Sequence, residues 1–314
     1  MTSRTPTRIA LVTGAFSNSG RHIAQRLLAD GWEVRTLTGH PERRTALDHA
    51  IQAFPLAFDR PDVLAQALRN VDTLFNSYWV RFDHRGMTYE MAVDHTRLLI
   101  EAASKAGVRK VVHLSIANAS ADSPFRYYRG KAAIERIVEE SGLQRAILRP
   151  TVIFGPAGIL VNNIAWFLRC FPVFLIPGDG RYRIQPVHVG DLAELAVREA
   201  AKTGSSALDA VGPETFAYEE LVHLIASEIG CRARVVHVSR RLAIAAARAL
   251  GLMTRDVVLT PEEVDGLMAD LLHSHQPPTC PTSFRGWLAE SKAALGKTYL
   301  SELRTHFDKE NGNG

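Results

Sequence analysis

Tyr127 and Lys131 stand four residues apart in Pro124-Phe125-Arg126-Tyr127-Tyr128-Arg129-Gly130-Lys131, at the entry to a segment that reads as helix. That spacing puts both side chains on one helical face. An ammonium beside a phenol favours the phenolate and lowers a pKa that starts near ~10. A phenol tuned in this way can pass a proton to or from a substrate oxygen. The bare pair is also what an ordinary exposed helical turn contains. Its place in the chain gives it weight: downstream of a nucleotide-type turn and just ahead of Leu148-Arg149-Pro150.

The turn follows a short apolar run, 8–13, that reads as a buried strand. Gly14-Ala15-Phe16-Ser17-Asn18-Ser19-Gly20 comes next, and 21–29 reads as helix. Strand, tight turn, helix is the context a dinucleotide fingerprint requires. Gly14 permits the sharp turn, Gly20 lets the helix pack close to the sheet, and the helix N-terminus offers N–H groups to a pyrophosphate. Ser17 replaces the middle glycine of the usual pattern, and its hydroxyl, with those of Ser19 and Thr13, is expected to hydrogen-bond the phosphate. Phe16 and Asn18 join Gly14, Ser17 and Gly20 as cofactor-binding candidates.

The second strand, 33–38, ends in Thr38-Gly39-His40-Pro41-Glu42-Arg43-Arg44. An NAD site commonly places Asp or Glu here for the ribose hydroxyl. No acid occupies 35–41, whereas Arg43 and Arg44 could meet a 2′-phosphate, so NADP is expected, with NAD possible. The alternative is that both arginines cap a helix and see only water. Thr38 and His40 line the same end. Asp59 is expected to close a third strand, 54–59, beside the adenine, and Asn76 and Ser77 end a fourth at 72–77.

Strand-like runs at 109–115 and 145–148 continue the alternation, with helical patterns clearest at 92–106 and 131–140. This rhythm predicts an α/β fold, a doubly wound parallel sheet with ligands beyond the carboxyl ends of its strands. After Pro150 the pattern changes. A dinucleotide-binding domain over 1–156, rejoined by 184–212, is expected beside a smaller, mostly helical C-terminal substrate lobe over 157–183 and 213–314.

The chain has 314 residues, 46% of them hydrophobic, enough for a full core. Net charge is +4 and the arginines are scattered, which argues against nucleic acid as a partner. Cys170, Cys231 and Cys280 are odd in number and far apart, so no disulfide framework is expected. The segment 1–7 lacks the apolar core of a signal peptide. The longest apolar stretch, 159–177, is broken by Asn162, Asn163 and Arg169, too interrupted for a membrane span. It is expected to line or underlie an apolar pocket in a cytoplasmic protein, monomeric or homodimeric, with a small-molecule substrate.

The turn at Gly14, Tyr127-x-x-x-Lys131, Arg149-Pro150-Thr151-Val152-Ile153-Phe154-Gly155-Pro156 and Pro186-Val187-His188-Val189-Gly190-Asp191-Leu192-Ala193 occur in the order seen in the short-chain dehydrogenase/reductase superfamily. Over roughly 8–230 the chain resembles its extended and atypical branches, the NAD-dependent epimerase/dehydratase and NmrA-like types. Gly212-Pro213-Glu214-Thr215-Phe216-Ala217-Tyr218 is similar to the extended type. The resemblance implies a Rossmann fold with Tyr127 as acid/base. Lys131 would bind the nicotinamide ribose and tune Tyr127, Ser115 would orient the substrate oxygen, and Pro150 and Val152 would run past the nicotinamide amide. Departures are Ile116 and Ala117 where many active members have a second hydroxyl, Ala92 where extended members often have Asn, and Ser17 in the turn. The stretch 115–131 also resembles the nucleotide-binding accessory subunit of respiratory complex I, which holds its nucleotide structurally.

The resulting expectation is an NAD(P)-dependent oxidoreductase that moves hydride between a nicotinamide and a small, fairly apolar carbonyl or alcohol. The alternatives are a non-catalytic NAD(P)H-binding sensor or assembly subunit, or an epimerase/dehydratase with retained cofactor. Tyr78 and Trp79, after the fourth strand, either stack on substrate or pack. Asn163 and Arg183 are further substrate-contact candidates. His188 reads as a structural residue of the lobe. His273, His275 and Cys280 lack a convincing fourth metal ligand, and no Gly-x-Ser-x-Gly elbow suggests a hydrolase. The Ala-rich helix at 242–250 reads as a packed lobe helix, with nearby basic residues that leave surface binding open.

Overall fold

The computed structural model describes residues 8–40 and 49–306. In chain order it contains β1 (Ile9–Thr13), α1 (Asn18–Ala29), β2 (Glu33–Thr38), β3 (Ile51–Pro55), α2 (Pro61–Leu68), β4 (Thr73–Asn76), α3 (Tyr89–Lys105), β5 (Lys110–Leu114), α4 (Arg126–Glu140) and β6 (Gln144–Pro150). Then come β7 (Val152–Phe154), α5 (Ile159–Cys170), β8 (Val173–Pro177), β9 (Arg183–Ile184), β10 (Pro186–His188), α6 (Val189–Ala201) and β11 (Ser206–Ala210). The chain finishes with β12 (Phe216–Ala217), α7 (Tyr218–Glu228), β13 (Arg234–Val238), α8 (Arg240–Thr254), α9 (Pro261–Met268), α10 (Phe284–Ser291) and α11 (Glu302–His306).

Two compact units result. The first takes the chain up to Pro150 together with Val189–Asp209, and the second takes Thr151–His188 and the chain from Ala210 onward. The first unit is built on a seven-stranded sheet in the order β11-β6-β5-β4-β1-β2-β3. β1 pairs in parallel with both β2 and β4, so the strand order reverses beside β1. This is the switch point where doubly wound sheets open a crevice. The strands read as nearly unbroken apolar runs because helices cover both faces. Leu11, Leu37, Leu74, Val111 and Ile147 from five strands pack with Leu64, Leu99 and Ile134 of α2, α3 and α4, while α1 and α6 lie against each other. Arg149 on β6 clamps Glu135 on α4 through two bonds of 2.9 and 2.6 Å, which fixes α4 against the sheet.

The third strand is a correction. It runs Ile51–Pro55, not 54–59, and Asp59 sits exposed in the turn beyond it. β3 is the last strand at one edge of the sheet, where a proline can end a strand without breaking an interior ladder.

The second unit is less purely helical than its sequence suggests. β7 pairs with β10, β9 with β12, and β8 with β13. These ribbons surround a core containing Phe154, Ile184, Phe216, Leu221 and Phe284. Because β7 and β10 pair with each other, 151–156 and 184–188 fall in this unit and not in the sheet domain. The apolar stretch 159–177 divides into α5 and β8. Its two asparagines are structural: Asn162 accepts from Gly296 N and donates to Thr298 O, and Asn163 accepts from Leu300 N (3.0 Å) and donates to Leu300 O (2.8 Å). Asn163, 8% exposed, is therefore a clip for the 296–300 segment and is not available to a substrate. Arg183 is likewise committed, bonded through its guanidinium and backbone N–H to Asp270.

Asn163→Ala removes three hydrogen bonds, one from Asn162 and two that satisfy both backbone polar groups of Leu300. Urea denaturation is expected to show a loss of about 2 kcal/mol, with nucleotide affinity unchanged; a weakened nucleotide affinity at intact stability would contradict the clip.

Candidate functional site

The turn after β1 is built on close backbone approach. Gly14 adopts φ +66° and donates its N–H to Leu37 O at 2.8 Å. A β-carbon on Gly20 would lie 2.2 Å from the Gly14 carbonyl oxygen, so only glycine allows the first turn of α1 to sit against this loop. Ser17 turns inward: its N–H and its hydroxyl both donate to Gly14 O, at 2.8 and 2.6 Å. The Ser17 hydroxyl therefore braces the turn and does not project toward a phosphate. Phe16 is buried beside it.

Across the switch point β1 and β4 are laced together. Ser77 N donates to Thr13 Oγ1 (2.8 Å) and Ser77 Oγ donates to Thr13 O (2.6 Å). Below this lacing, Asn76 accepts from Thr13 Oγ1 and Tyr78 N, and its amide nitrogen lies 3.2 Å from His113 Nδ1. Both ends of the Asn76 amide are taken up by these groups, so it is part of the floor and not a cofactor contact. With Asn76 donating to Nδ1, the His113 hydrogen belongs on Nε2. Burial, followed by the nearby Lys131 charge, holds His113 neutral with a pKa lowered to about 3, against the opposing pull of its bond with Asn76.

Lys131 on α4 is 4% exposed. Its Nζ donates to Leu114 O at 3.0 Å, which places the amine at the end of β5, one residue from Ser115. Burial lowers its pKa to about 7, and Glu135 pulls in the opposite direction. The Trp79 ring lies 4.8 Å from Nζ. Trp79 stacks on Tyr89 at 5.6 Å and meets the edge of Tyr127, also at 5.6 Å. A β-carbon on Gly130 would be 2.6 Å from the indole, so this glycine makes room for Trp79. Tyr127 is half-buried in this aromatic group. Its helical turn is held by Arg126, which bonds Asp83 (2.8 Å) and Glu90 (2.8 and 2.9 Å) and lies over the Tyr89 ring.

Tyr78 points elsewhere. Its hydroxyl meets His95 Nδ1 at 2.8 Å, its ring tilts on Phe58, and burial pushes its phenol pKa upward. It is a packing residue. Thr38 accepts from His40 N and caps its own loop. Arg43 and Arg44 lie outside the described residues. Pro150 ends β6, its carbonyl accepting from Ala117 N, and Val152 is buried in β7 of the second unit.

Buried polar atoms normally have partners. Four here have none among the described residues: Asn18 Oδ1, Trp79 Nε1, His113 Nε2 and Ser115 Oγ. Asn18 and Trp79 follow β1 and β4, His113 is the penultimate residue of β5 and Ser115 follows it, so all four belong to the carboxyl-end half of these strands or to what comes directly after. Two N–H donors, a hydroxyl and an amide oxygen suit a polar organic ligand. With the glycine cradle of Gly14 and Gly20 and the amine of Lys131, the set fits a dinucleotide. His113, Arg126 and Gly130 were not singled out from sequence. A histidine inside the apolar run Lys110–Leu114 and a glycine inside a helical segment were the available signals, whereas the partners of Arg126 are too far away in sequence to be read.

Residues 14–157 match the family described as NAD(P)H-binding, and the first unit carries an NAD(P)H-binding domain. Among curated relatives, the chain is 26% identical over 228 residues to the mitochondrial NADH dehydrogenase [ubiquinone] 1 alpha subcomplex subunit 9 of Arabidopsis thaliana, covering 69% of this chain and 57% of that one. It is 29% identical over 211 residues to the (4-alkanoyl-5-oxo-2,5-dihydrofuran-3-yl)methyl phosphate reductase of Streptomyces griseus subsp. griseus, covering 66% of each. A nucleoside-diphosphate-sugar epimerase from Staphylococcus aureus has the same fold, with a TM-score of 0.72 at 15% identity over 90% of this chain and 100% of that one. The likeness read from the sequence is borne out at the level of an NAD(P)-binding, epimerase-like Rossmann fold. The chain spans 57–65% of the length of the first curated relatives it matches.

Gly20→Ala forces α1 away from Gly14. It is expected to cost about 2 kcal/mol and to weaken NADH and NADPH binding at least tenfold in fluorescence titrations; unchanged affinity would contradict the cradle. Lys131 carries a pH signature. Its folded pKa lies below that of the unfolded chain, so between about pH 7 and 10 the unfolded state binds more protons and stability rises with pH. The penalty is fully present below that window. Replacing Lys131 by Met should flatten this rise in denaturation curves taken from pH 7 to 10.

Proposed function

We propose that this protein is an NAD(P)H-dependent oxidoreductase acting on a small, fairly apolar carbonyl or alcohol. The observation that carries the reading is Lys131, anchored on the Leu114 carbonyl at the end of β5, one residue before Ser115, whose buried hydroxyl has no partner among the described residues, and one helical turn from Tyr127. The turn from Gly14 to Gly20 and the start of α1 would hold the pyrophosphate, and Lys131 the nicotinamide ribose. The nicotinamide, when bound, supplies or accepts the hydride. Ser115 donates a hydrogen bond to the substrate oxygen, and Tyr127 exchanges a proton with it. Nucleotide phosphates favour the charged form of Lys131, and that charge favours the Tyr127 phenolate. The absence of an acid from 35–41 favours NADP over NAD. The Streptomyces relative named as a reductase supports the same class.

A second reading is nucleotide binding without turnover. The Trp79 indole, set over Lys131 and against Tyr127, favours it. So does the Arabidopsis relative, named as a subunit of a larger dehydrogenase.

Tyr127→Phe separates the two. In the first reading, NADPH-dependent reduction across a panel of carbonyls falls at least ~100-fold, while NADPH affinity stays within about twofold because the phenol is not the binding anchor. Equal turnover in the variant rejects the acid/base role. A wild-type protein that binds NADPH and reduces none of the panel supports the second reading.

A further inference from the structure

Helix α8 presents an apolar outer face. Its inner side packs through Ile244 and Ala247, and Arg240 is held by Asp265 of α9. On the opposite side Leu242, Leu252 and Met253 are 52, 84 and 56% exposed, and Ala245 and Ala249 are exposed between them. At helical pitch these five residues fall within an arc of about 100°. Exposed leucine and methionine at this density go beyond the scattered apolar side chains of an ordinary surface.

The rim is basic. Arg241 and Arg248 are exposed along one border of the stripe, and Arg255 follows at the helix end. None of the three makes an ion pair among the described residues, and α8 contains no Asp or Glu. Of the three carboxylates on neighbouring α9, Glu263 is spent in a capping box with Thr260, Asp265 is spent on Arg240, and Glu262 has an interaction of its own. A second copy of the chain could cover the stripe but would bring no carboxylate from its own α8 to these arginines. Fifteen residues at helical rise make about 22 Å, too short to cross a bilayer. An apolar stripe bordered by arginines is what lies in the plane of a lipid interface. The unpaired positive charge matches anionic headgroups.

The geometry points to α8 as a surface on which the protein docks to anionic lipid bilayers, its leucine and methionine side chains at the acyl boundary and Arg241 and Arg248 among the headgroups. This assignment is independent of the chemistry proposed for the first unit.

Flotation of the full chain with phosphatidylcholine vesicles, with and without about a third phosphatidylglycerol, tests it. Binding is expected to the anionic vesicles and to fall severalfold at high salt. The double variant Leu252→Asp/Met253→Asp is expected to lose binding at least tenfold with an unchanged thermal unfolding curve, since both side chains already face water. Arg241→Gln/Arg248→Gln is expected to lose the preference for anionic vesicles. Absence of vesicle binding, or binding that survives the double variant, overturns the proposal. So does a dimer in sedimentation that dissociates in the double variant, which would assign the stripe to a second copy.

Discussion

An amine buried under an indole, with its Nζ hydrogen-bonded to the Leu114 carbonyl, sets the geometry of the candidate site. Burial of a charged group is costly unless it is paired and bonded. Lys131 meets that cost in part by approaching neutrality and in part through Leu114 O, the Trp79 face and the more distant pull of Glu135. Glu135 is itself held by Arg149. Thus one face of α4 is tied to the ends of β5 and β6, and the position of Tyr127, four residues earlier, follows from that attachment and from the clamp of Arg126 on Asp83 and Glu90.

The other half of the site rests on absence of side-chain bulk. Gly20 lets α1 touch the Gly14 carbonyl, and Gly130 lets α4 accept Trp79. The lacing of Thr13 to Ser77 joins strands separated by more than sixty positions in the chain and leaves the switch point braced before any ligand enters. Preorganisation of this kind reduces the ordering needed on binding. It also explains how Ser17 fits a glycine position: its hydroxyl bonds to Gly14 O, so its bulk stays within the turn.

Much of the first unit was legible because its code is local. Apolar runs of strand length separated by helical periodicity specify a parallel sheet, and the glycine spacing after β1 specifies the turn. Asp59 was misplaced because β3 is a short edge strand ending in proline, with little apolar signal of its own. Asn163, Arg183 and Asn76 looked available for ligand because polar side chains carry no mark of their partners in sequence. Those partners, Leu300, Asp270 and His113, lie tens of residues away. The three ribbons of the second unit were missed for a similar reason: strands of two to five residues are stabilised by their pairing, not by their own periodicity.

The amino-acid sequence by itself determined the fold class, the nucleotide turn and the one-face spacing of Tyr127 and Lys131, since each depends on residues within a turn or two of one another. Tertiary structure alone decided which polar groups were left unpartnered, which candidates were absorbed into packing, and that Trp79 would lie across Lys131. Those outcomes depend on contacts between distant segments, and burial and hydrogen-bond satisfaction exist only once the chain has brought those segments together.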